Sequence, residues 1–491
     1  MKPTKQEYQK ARFRAVQIKQ LLFFGFLAVM GFIGLLWFAR PETSTVEKRD
    51  LTKFPKLTLA GLWDGSFCSG VDTWYADTYP LREGLIDMDI KLEHAYGIRS
   101  EQIINNGEKA DAIPTGTVDL EALAGRSTTE APVASTENTA PSDSGSSPAD
   151  TGDSPATTQA AEPVTTEYNG HGAGDVTHDL EKAGTIYIAD GAGYGVYYFN
   201  ESNSARYCLL VNKLAKNLAG KAQVYSMLCP ISAGVMLSDE VRESTGASDE
   251  HEATEWFYRN MDPSVRTVTM MPSLKAHNDE YIFFRTDHHW TALGAYYAYR
   301  EWAAVKGVTP HELSFFEKTY EFDGFLGTFY TNSNKNASLA ANPDTVYAYV
   351  PNGTNKMNMF VANNDGTFTE YGWRIVNDVS NYNKTQLYAA FAGGDQAYNY
   401  VHNEAVTDGS SVLIVKDSYG NAFIPYLIDH YEYIYWIDFR NYKKWCGWAG
   451  YSDPSISNLV ERKGIQDVIL CHNISIAGSS SALDVMEGIY K

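Results

Sequence analysis

Cysteine is scarce in this chain of 491 residues. Only five are present, at positions far apart in the sequence: Cys68, Cys208, Cys229, Cys446 and Cys471. An odd number at such spacing excludes a disulfide framework, and no two cysteines have the close spacing of a zinc site. We therefore expect free thiols, either buried or loosely placed, with a single disulfide as the remaining alternative.

Basic residues are also outnumbered. Lysine and arginine total 40 against 60 aspartates and glutamates, so the formal net charge is -20 at pH 7. Nucleic acids and anionic lipid surfaces both require a basic patch on the protein that binds them. The charge therefore argues against either as the main partner, and no nucleic acid is expected.

Long hydrophobic runs are missing except near the N-terminus. Residues 21–39 form an uncharged run of 19 residues, close to the roughly 20 that a helix needs to cross a bilayer. Six basic residues and one acidic residue precede the run, and such an excess keeps that end in the cytoplasm. We predict a basic cytoplasmic tail at 1–20, a single-pass membrane anchor at 21–39 and an extracellular C-terminal domain. A cleaved signal peptide is the alternative.

A second deficit interrupts the remaining chain. Residues 127–167 contain no lysine, arginine, aromatic residue, leucine, isoleucine or methionine, and consist largely of Ser, Thr, Ala, Pro, Asp and Glu. Such a stretch cannot bury enough apolar surface to fold. We predict a disordered insertion at 114–180, between an N-terminal part of the exported domain at 40–113 and its main part at 181–491. A stalk between two domains is the alternative.

After the insertion, strand and helix patterns alternate, as is typical of an α/β fold with a mostly parallel sheet flanked by helices. The predicted strands are 185–189, 196–199, 223–229, 281–285, 412–415, 433–437 and 468–471. The predicted helices are 207–218, 292–305 with Thr291 as its cap, 421–430, and one that Asp453 caps and Gly464 follows.

Polar residues follow the carboxyl ends of the last three predicted strands. These residues are Ser418, the pair Asp438 and Arg440, and Asn473. Ligands of open α/β sheets bind outside the carboxyl ends of the strands. We therefore expect these side chains along one edge of a binding site.

Ser418 lies in the sequence Asp-Ser-Tyr-Gly, a tight turn between a strand and a helix. Such a turn exposes the hydroxyl to a substrate, and the helix N-terminus behind it offers N–H groups to an oxyanion. An Asp-Ser turn alone is usually explained by local hydrogen bonding. A serine nucleophile also requires a base and a carboxylate that orients the base.

The segment Asp287-His288-His289-Trp290 contains both groups. In an extended backbone, Asp287 and His289 project to one side and His288 projects to the other. A metal site is the alternative, but zinc would require further ligands at a recognisable spacing, and none is near in sequence. We expect no metal and no cofactor.

This tetrapeptide resembles the signature of the bacterial DHHW protein family, and its Asp-x-His-Trp core resembles that of the SGNH-like alginate O-acetyltransferases. Those proteins carry the Asp/His motif before the nucleophilic serine, the reverse of the order in ordinary SGNH esterases, as does this chain. The resemblance continues, from about Phe54 to the C-terminus, in four further segments: Phe325–Tyr330, Ala392–Gly394, Lys416–Asn421 and Ile437–Arg440.

The resemblance implies an SGNH-hydrolase-like, flavodoxin-like catalytic domain at 181–491. It makes Ser418 the nucleophile, His289 the base and Asp287 its orienter, with His288 as a competing base. The candidate oxyanion donors are the side chain of Asn473, which could instead cap a turn, and the backbone N–H groups of Tyr419 and Gly394. Candidate substrate-binding residues are Asp438, Arg440 and Trp290.

The same resemblance implies an extracytoplasmic O-acyltransferase that moves acetyl groups onto a cell-envelope or secreted polysaccharide. A multi-span membrane acyltransferase would supply the acyl group, since the acetyl donors of the cytoplasm are absent outside. One alternative is a carbohydrate esterase with the same triad, because access and positioning decide between water and sugar as acceptor. The other is a catalytically silent glycan-binding or envelope-assembly protein, whose stacking surfaces would come from the 33 tyrosines and 10 tryptophans.

Overall fold

The computed structural model describes residues 110–125 except 117, residues 169–491 except 334 and 364, and scattered positions between 40 and 79. The predicted tail at 1–20, the anchor at 21–39 and the segment 126–168 lie outside the described residues. Within the described part of the chain, no helix is long and apolar enough to span a bilayer. The chain forms two compact units, Met1–Gln102 and Ile103–Lys491.

The first unit contains two short antiparallel strands, β1 (Thr43–Ser44) and β2 (Arg49–Asp50). The Arg40 guanidinium donates a hydrogen bond to the Thr78 carbonyl oxygen at 3.2 Å and lies 4.9 Å from the ring centroid of Trp74. The ring of Phe54 meets that of Trp74 edge-on, with 4.8 Å between centroids. These contacts form a small aromatic cluster around Trp74.

The second unit alternates strands and helices along most of its length. Its strands are β3 (Glu181–Ala183), β4 (Ile186–Ala189), β5 (Ala192–Tyr194), β6 (Gln223–Cys229), β7 (Arg266–Thr267), β8 (Lys318–Phe325), β9 (Asp344–Val350), β10 (Lys356–Ala362), β11 (Phe368–Arg374), β12 (Asn399–His402), β13 (Ser411–Lys416), β14 (Tyr433–Asp438) and β15 (Asp467–Asn473). Its helices are α1 (Leu120–Ala124), α2 (Glu201–Asn217), α3 (Ser232–Met236), α4 (Asp239–Ser244), α5 (Glu250–Arg259), α6 (Met271–Ala276), α7 (Ala292–Lys306), α8 (Thr328–Asn332), α9 (Ala337–Ala340), α10 (Tyr419–Leu427), α11 (Phe439–Trp448), α12 (Ile456–Lys463), α13 (Ile474–Ala477) and α14 (Ser480–Ile489).

A mixed sheet of eight strands forms the centre, in the order β11-β10-β12-β14-β13-β15-β6-β7. The five strands from β14 to β7 are parallel, and β12, β10 and β11 extend the sheet in antiparallel pairs. The α/β prediction is confirmed. Numbered along the chain, the parallel strands lie in the order 2-1-5-3-4, which differs from the 2-1-3-4-5 order of flavodoxin-like sheets. The difference arises because β15, the last strand, inserts between β6 and β13.

Helices cover both faces of this sheet. On one face, Nδ1 of His472 in β15 shares a hydrogen bond of 3.0 Å with the hydroxyl of Tyr207 in α2. On the opposite face, Asp467 of β15 pairs with Lys306 at the end of α7. Because they are covered on both sides, β13 and β15 are buried along their whole length, which explains their continuous apolar runs.

The predicted insertion is too wide at both ends. Leu123 of α1, which falls inside the predicted insertion, is buried in the main core. At the other end, the backbone N–H of Val176 donates to the Met236 carbonyl oxygen at 2.9 Å. Residues 114–125 and 169–180 therefore belong to the folded unit wherever they are described.

Three local predictions also differ from the structure. Residues 281–285 form no strand, only an isolated bridge between Phe283 and Trp290. Residues 196–199 form no strand, and β4 pairs instead with β5, which lies just before them. Ser455, not Asp453, caps α12, because its hydroxyl accepts from the Asn458 N–H while the Asp453 carboxylate accepts from the Ser455 N–H.

Candidate active site

Ser418 lies two residues after the end of β13, at the N-cap position of α10, where its side chain makes no capping hydrogen bond. The turn is tight, since a Cβ atom at Gly420 would lie 2.7 Å from the Cβ of Lys416. The Asp417 carboxylate accepts hydrogen bonds from the backbone N–H groups of Tyr419 at 2.9 Å and Asn473 at 2.6 Å. These bonds join the turn to the end of β15 and hold Ser418 at the carboxyl edge of the sheet.

Ser418, His289 and Asp287 form one hydrogen-bonded chain. Ser418 Oγ lies 2.7 Å from His289 Nε2, and His289 Nδ1 lies 2.5 Å from Asp287 Oδ1. All three are buried, with Ser418 and His289 each 5% exposed and Asp287 2%. A carboxylate at Nδ1 holds the proton on that nitrogen, so Nε2 presents its lone pair to the hydroxyl. The arrangement can remove the proton of Ser418.

Further donors surround the Asp287 carboxylate. Asp287 Oδ2 accepts from the Thr328 N–H at 2.8 Å and from the Thr328 hydroxyl at 3.1 Å, while Oδ1 also accepts from the His289 N–H at 3.1 Å. Burial alone would raise the pKa of Asp287, but His289, His288 and these hydrogen bonds lower it overall, well below its ordinary value. The carboxylate is therefore ionised at neutral pH.

Asp287, His288 and His289 could together suit a metal ion, since one ligand atom from each lies within 4.8 Å of the others. The four hydrogen bonds to Asp287 already use the roughly four lone-pair positions of a carboxylate. Both ring nitrogens of His289 are engaged with Asp287 and Ser418. A metal ion would have to displace these bonds.

His288 supports the site from the side. Its Nδ1 lies 2.6 Å from the Thr328 hydroxyl, and its ring centroid lies 3.8 Å from that of His289. Because the Thr328 hydroxyl donates to Asp287, its oxygen accepts from His288, which places the proton on Nδ1 of His288. His289 is the histidine in contact with Ser418.

A buried aspartate that sequence reasoning missed holds the loop before Asp287. Asp344, at the start of β9, accepts from the backbone N–H groups of Arg285 at 2.9 Å and Thr286 at 2.7 Å, and from the Tyr281 hydroxyl at 2.5 Å. These contacts explain why residues 281–285 leave the sheet pattern. No local sequence signal linked Asp344 to this loop.

The aromatic end of the tetrapeptide is structural. Trp290 is fully buried, and its indole N–H donates to the Tyr419 carbonyl oxygen at 3.0 Å. The candidate role of Trp290 in substrate binding is therefore wrong for this conformation, because the ring has no surface to offer. Trp290 instead ties the histidine loop to the first turn of α10.

The three candidate oxyanion donors differ in availability. The Tyr419 N–H donates to Asp417, and the Gly394 N–H donates to the Phe391 carbonyl oxygen at 2.9 Å. The Asn473 side-chain oxygen caps α13 by accepting from the Ser475 N–H at 2.8 Å, as the alternative interpretation expected. These bonds leave the Asn473 amide Nδ2 as the remaining candidate donor.

Asp438 and Arg440 belong to a charged cluster beside the turn. Arg440 lies 2.8 Å from Asp438 through Nε and 3.0 Å from Asp395 through Nη2. Asp395 also meets Lys416 Nζ at 3.0 Å and Asn421 Nδ2 at 2.9 Å. Asp438 is fully buried, so it cannot contact a substrate directly. The Arg440 side chain, 10% exposed and paired with two carboxylates, braces the strand ends beside Ser418.

Charge determines the protonation of this cluster. Asp395 is 39% exposed at its side chain; partial desolvation opposes its ionisation, but Lys416 and Arg440 lower its pKa overall, well below the ordinary value. Burial raises the pKa of Asp438, against the opposing effect of Arg440.

A turn with positive φ at Ala392, Gly393 and Gly394 (50°, 70° and 75°) leads into Asp395, which accounts for the small residues there.

Tyr388 is a second site residue that sequence reasoning missed. It lies in a short 3₁₀ helix, Leu387–Ala390, and its ring stacks on that of His289 with centroids 3.9 Å apart and planes 11° apart. Its hydroxyl donates to the Ser418 carbonyl oxygen at 3.0 Å. One tyrosine among 33 carried no signal in the sequence.

The chain is similar to several solved structures. A DHHW family protein from Eubacterium siraeum is similar with a TM-score of 0.54 and 26% identity, over 64% of this chain and 98% of that chain. PatB1 of Bacillus cereus has a TM-score of 0.49 and 16% identity, over 62% of this chain and 98% of that one. The O-acetyltransferase domain of Pseudomonas putida AlgJ has a TM-score of 0.33 and 12% identity, over 63% and 99%.

No curated protein matches the chain in sequence. The sequence model of the DHHW protein family, however, matches residues 47–437. That range contains Asp287-His288-His289-Trp290, the turn around Ser418, β6 to β13 and all of β14 except its last residue. Because the match covers most of the sequence, this chain belongs to the DHHW protein family.

Proposed function

We propose that this chain is an extracytoplasmic serine-triad O-acyltransferase, which transfers acetyl groups to a cell-envelope or secreted polysaccharide on an SGNH-hydrolase-like fold. The hydrogen-bonded chain from Ser418 through His289 to Asp287 carries the proposal. A base aligned on a serine hydroxyl by a buried, ionised carboxylate is the machinery of acyl transfer.

The first half-reaction makes an acyl-enzyme. Ser418 Oγ attacks the carbonyl carbon of an acetyl ester while its proton passes to His289 Nε2, and the carbonyl π electrons move to the oxygen. The negative charge of Asp287 stabilises the imidazolium that forms. Collapse of the intermediate breaks the bond to the donor alcohol, which leaves with the proton from His289, and acetyl-Ser418 remains.

The second half-reaction regenerates the free enzyme. A sugar hydroxyl gives its proton to His289 as it attacks the acetyl carbonyl, and Ser418 leaves and regains a proton from His289. The product is an O-acetylated glycan. Water in place of the sugar would make the same site an esterase, so exclusion of water from the acceptor position decides the outcome.

The location outside the cytoplasm is part of the proposal, and the uncharged run at 21–39 with its basic flank supports it. Held at the outer surface by that segment, the domain would receive acetyl groups from a multi-span membrane acyltransferase. A protease added to intact cells should then digest the C-terminal domain. A C-terminus protected in the cytoplasm would contradict both the location and the substrate class.

The function is tested with the full-length protein in detergent and 4-nitrophenyl acetate as donor, with and without polysaccharide fragments. Acetyl groups on the sugar, together with an acetylated Ser418 peptide on quenching, support the transferase. Nitrophenolate release with unmodified sugar would indicate the esterase instead. Absence of both products, equal for the wild type and Ser418→Ala, would indicate a silent glycan-binding protein.

A further inference from the structure

The imidazole of His289 is enclosed on both faces. Tyr388 stacks on one face, with centroids 3.9 Å apart, and His288 covers the other at 3.8 Å with a tilt of 37°. Tyr419 approaches at 5.4 Å. With Asp287 and Ser418 bonded to the two ring nitrogens, rotation of the imidazole out of its plane would drive it into a neighbouring ring.

Tyr388 is itself anchored to the nucleophile. Its hydroxyl donates to the backbone carbonyl oxygen of Ser418, and its ring packs edge-on against Phe391 with centroids 5.3 Å apart. Burial, with a further contribution from Asp287, raises the pKa of Tyr388 well above its ordinary value. The phenol therefore stays neutral and keeps donating at every pH where a histidine titrates.

The ring also faces the place where positive charge develops. When His289 takes the proton of Ser418, the imidazolium lies over the Tyr388 ring at a centroid distance of 3.9 Å, within the roughly 6 Å over which an aromatic face attracts a cation. Among the described residues, the other titratable groups beside His289 are Asp287, His288 and Tyr419. Of these, Asp287 carries a negative charge and binds the edge of the ring, so Tyr388 acts from a different direction.

We propose that Tyr388 is a positioning residue of acyl transfer, which holds the His289 imidazole in line with Ser418 and Asp287 and stabilises its protonated form. The proposal rests on the proposed function for its kinetic consequence. Its structural basis, the flat stack and the hydroxyl bond to Ser418, is independent of what the acyl acceptor is.

The test compares Tyr388→Leu, which removes the ring, with Tyr388→Phe, which keeps the ring and removes the hydroxyl. Acetylation of Ser418 by 4-nitrophenyl acetate is followed from about pH 5 to about pH 9, the range in which histidine titrates. Tyr388→Leu should slow acetylation about ten- to a hundredfold through misalignment of the base. It should also move the acid limb of the profile about half a pH unit lower, because the imidazolium loses its cation–π contact.

Tyr388→Phe should lie within about threefold of the wild type, with an unmoved acid limb, because phenylalanine offers a similar aromatic face. The matched control is Tyr371→Leu, which removes a tyrosine that is 47% exposed on β11, away from the site. Tyr371→Leu should match the wild type in rate and in profile. A Tyr388→Leu variant with an unmoved acid limb, or a Tyr388→Phe variant as slow as Tyr388→Leu, would overturn the proposal.

A second measurement separates this proposal from the proposed function. The ring nitrogens of ¹⁵N-labelled histidine report the titration midpoint of His289 by NMR without any turnover. If the wild type never acetylates Ser418 but Tyr388→Leu still lowers the titration midpoint of His289, the proposed function is wrong and the role of the stack stands. If Tyr388→Leu fails to fold, Tyr388→Trp should raise the midpoint, since tryptophan binds cations best; an unchanged midpoint would overturn the proposal.

Discussion

Gly327 approaches Asp287 so closely that a Cβ atom at position 327 would lie 2.2 Å from Asp287 Oδ2. The next residue, Thr328, donates both its N–H and its hydroxyl to that same oxygen. The segment Phe325–Tyr330 therefore supports the carboxylate, although 41 residues separate Thr328 from Asp287. This contact explains why a glycine and a threonine are adjacent there.

Gly327→Ala should lower the rate of turnover strongly and the free energy of unfolding only moderately. The added methyl group must displace the carboxylate, whose other oxygen binds His289, and a displacement of this kind can cost about a hundredfold in rate. Overpacking should reduce the free energy of unfolding by about 1–3 kcal/mol. Turnover of 4-nitrophenyl acetate and thermal unfolding measure the two effects.

Gly447→Ala in α11 is the matched control, because nothing lies within 4 Å of a Cβ at that position. It should leave turnover unchanged and stabilise the helix slightly. Full activity in Gly327→Ala would show that the position of the Asp287 carboxylate does not limit the reaction.

Ser418, His289 and Asp287 should behave as one unit in mutant kinetics. Ser418→Ala and His289→Ala should each abolish turnover, and the double variant should be no worse, because neither residue works without the other. Asp287→Asn should keep the fold but turn over about 10³ to 10⁴ times more slowly, since an amide cannot hold the Nδ1–H tautomer. Additive losses in the double variant would contradict a shared role.

His288→Ala should be milder than His289→Ala, because His288 acts through Thr328 rather than on Ser418. It removes one donor to the Thr328 hydroxyl and one face of the imidazole enclosure. The rate of nitrophenolate release from the acetyl ester compares the two variants directly. Equal loss in both would reopen the choice of base.

The stability of the second unit should fall as the pH rises toward 8 because of Glu250. This carboxyl is 2% exposed and accepts from the Ile231 N–H at 2.9 Å. Burial raises its pKa from 4.5 to about 8. The stability that it contributes is therefore fully present below its unfolded pKa and is lost as the pH rises through the folded pKa.

Glu250→Gln mimics the protonated carboxyl and should show this effect in its Tm. It should match the wild type near pH 5 and unfold at a higher temperature near pH 9, where the wild type must ionise a buried group. Glu252→Gln, on the exposed side of the same helix, should leave the Tm difference between the two pH values unchanged. An identical pH dependence for wild type and Glu250→Gln would refute the assignment.

The thiols of the second unit should be unreactive in the folded state. Cys208, Cys229, Cys446 and Cys471 are free, as the sequence predicted for them, and the structure buries all four. Burial raises the pKa of Cys446 to about 11. Iodoacetamide should label these four slowly at pH 8 and rapidly in denaturant, as seen by peptide mass spectrometry. Cys229 and Cys471 have sulfur atoms 3.7 Å apart, so a disulfide between them in the purified protein would contradict this prediction.

Regular elements with a strong apolar pattern could be predicted from the sequence. The strand predicted at 223–229 matches β6 at both ends, and Thr291 caps α7 through its hydroxyl as expected. Predictions failed where distant residues decide the backbone. Residues 281–285 have the aromatic composition of a strand. However, Asp344, at the start of β9, accepts hydrogen bonds from the Tyr281 hydroxyl and the Arg285 N–H.

The same distinction between local patterns and long-range contacts holds for the candidate site. The tetrapeptide from Asp287 to Trp290 and the turn at Ser418 are local motifs, so their residue types already indicated a base, a carboxylate and a nucleophile. The sequence could not decide between His288 and His289, because the choice depends on the direction of two adjacent side chains. Thr328 at 2.6 Å from His288, and Ser418 at 2.7 Å from His289, separate them in the structure.

By itself, the sequence determined the family, the α/β class and the residue types of the site, because each depends on short-range patterns of chemistry. Tertiary structure alone decided that Asp438 and Trp290 are buried, that the Asn473 N–H is bound by Asp417, and that Tyr388 stacks on His289. These facts depend on which strand ends and loops meet at the sheet edge. That meeting depends on the packing of the whole unit, which no local pattern contains.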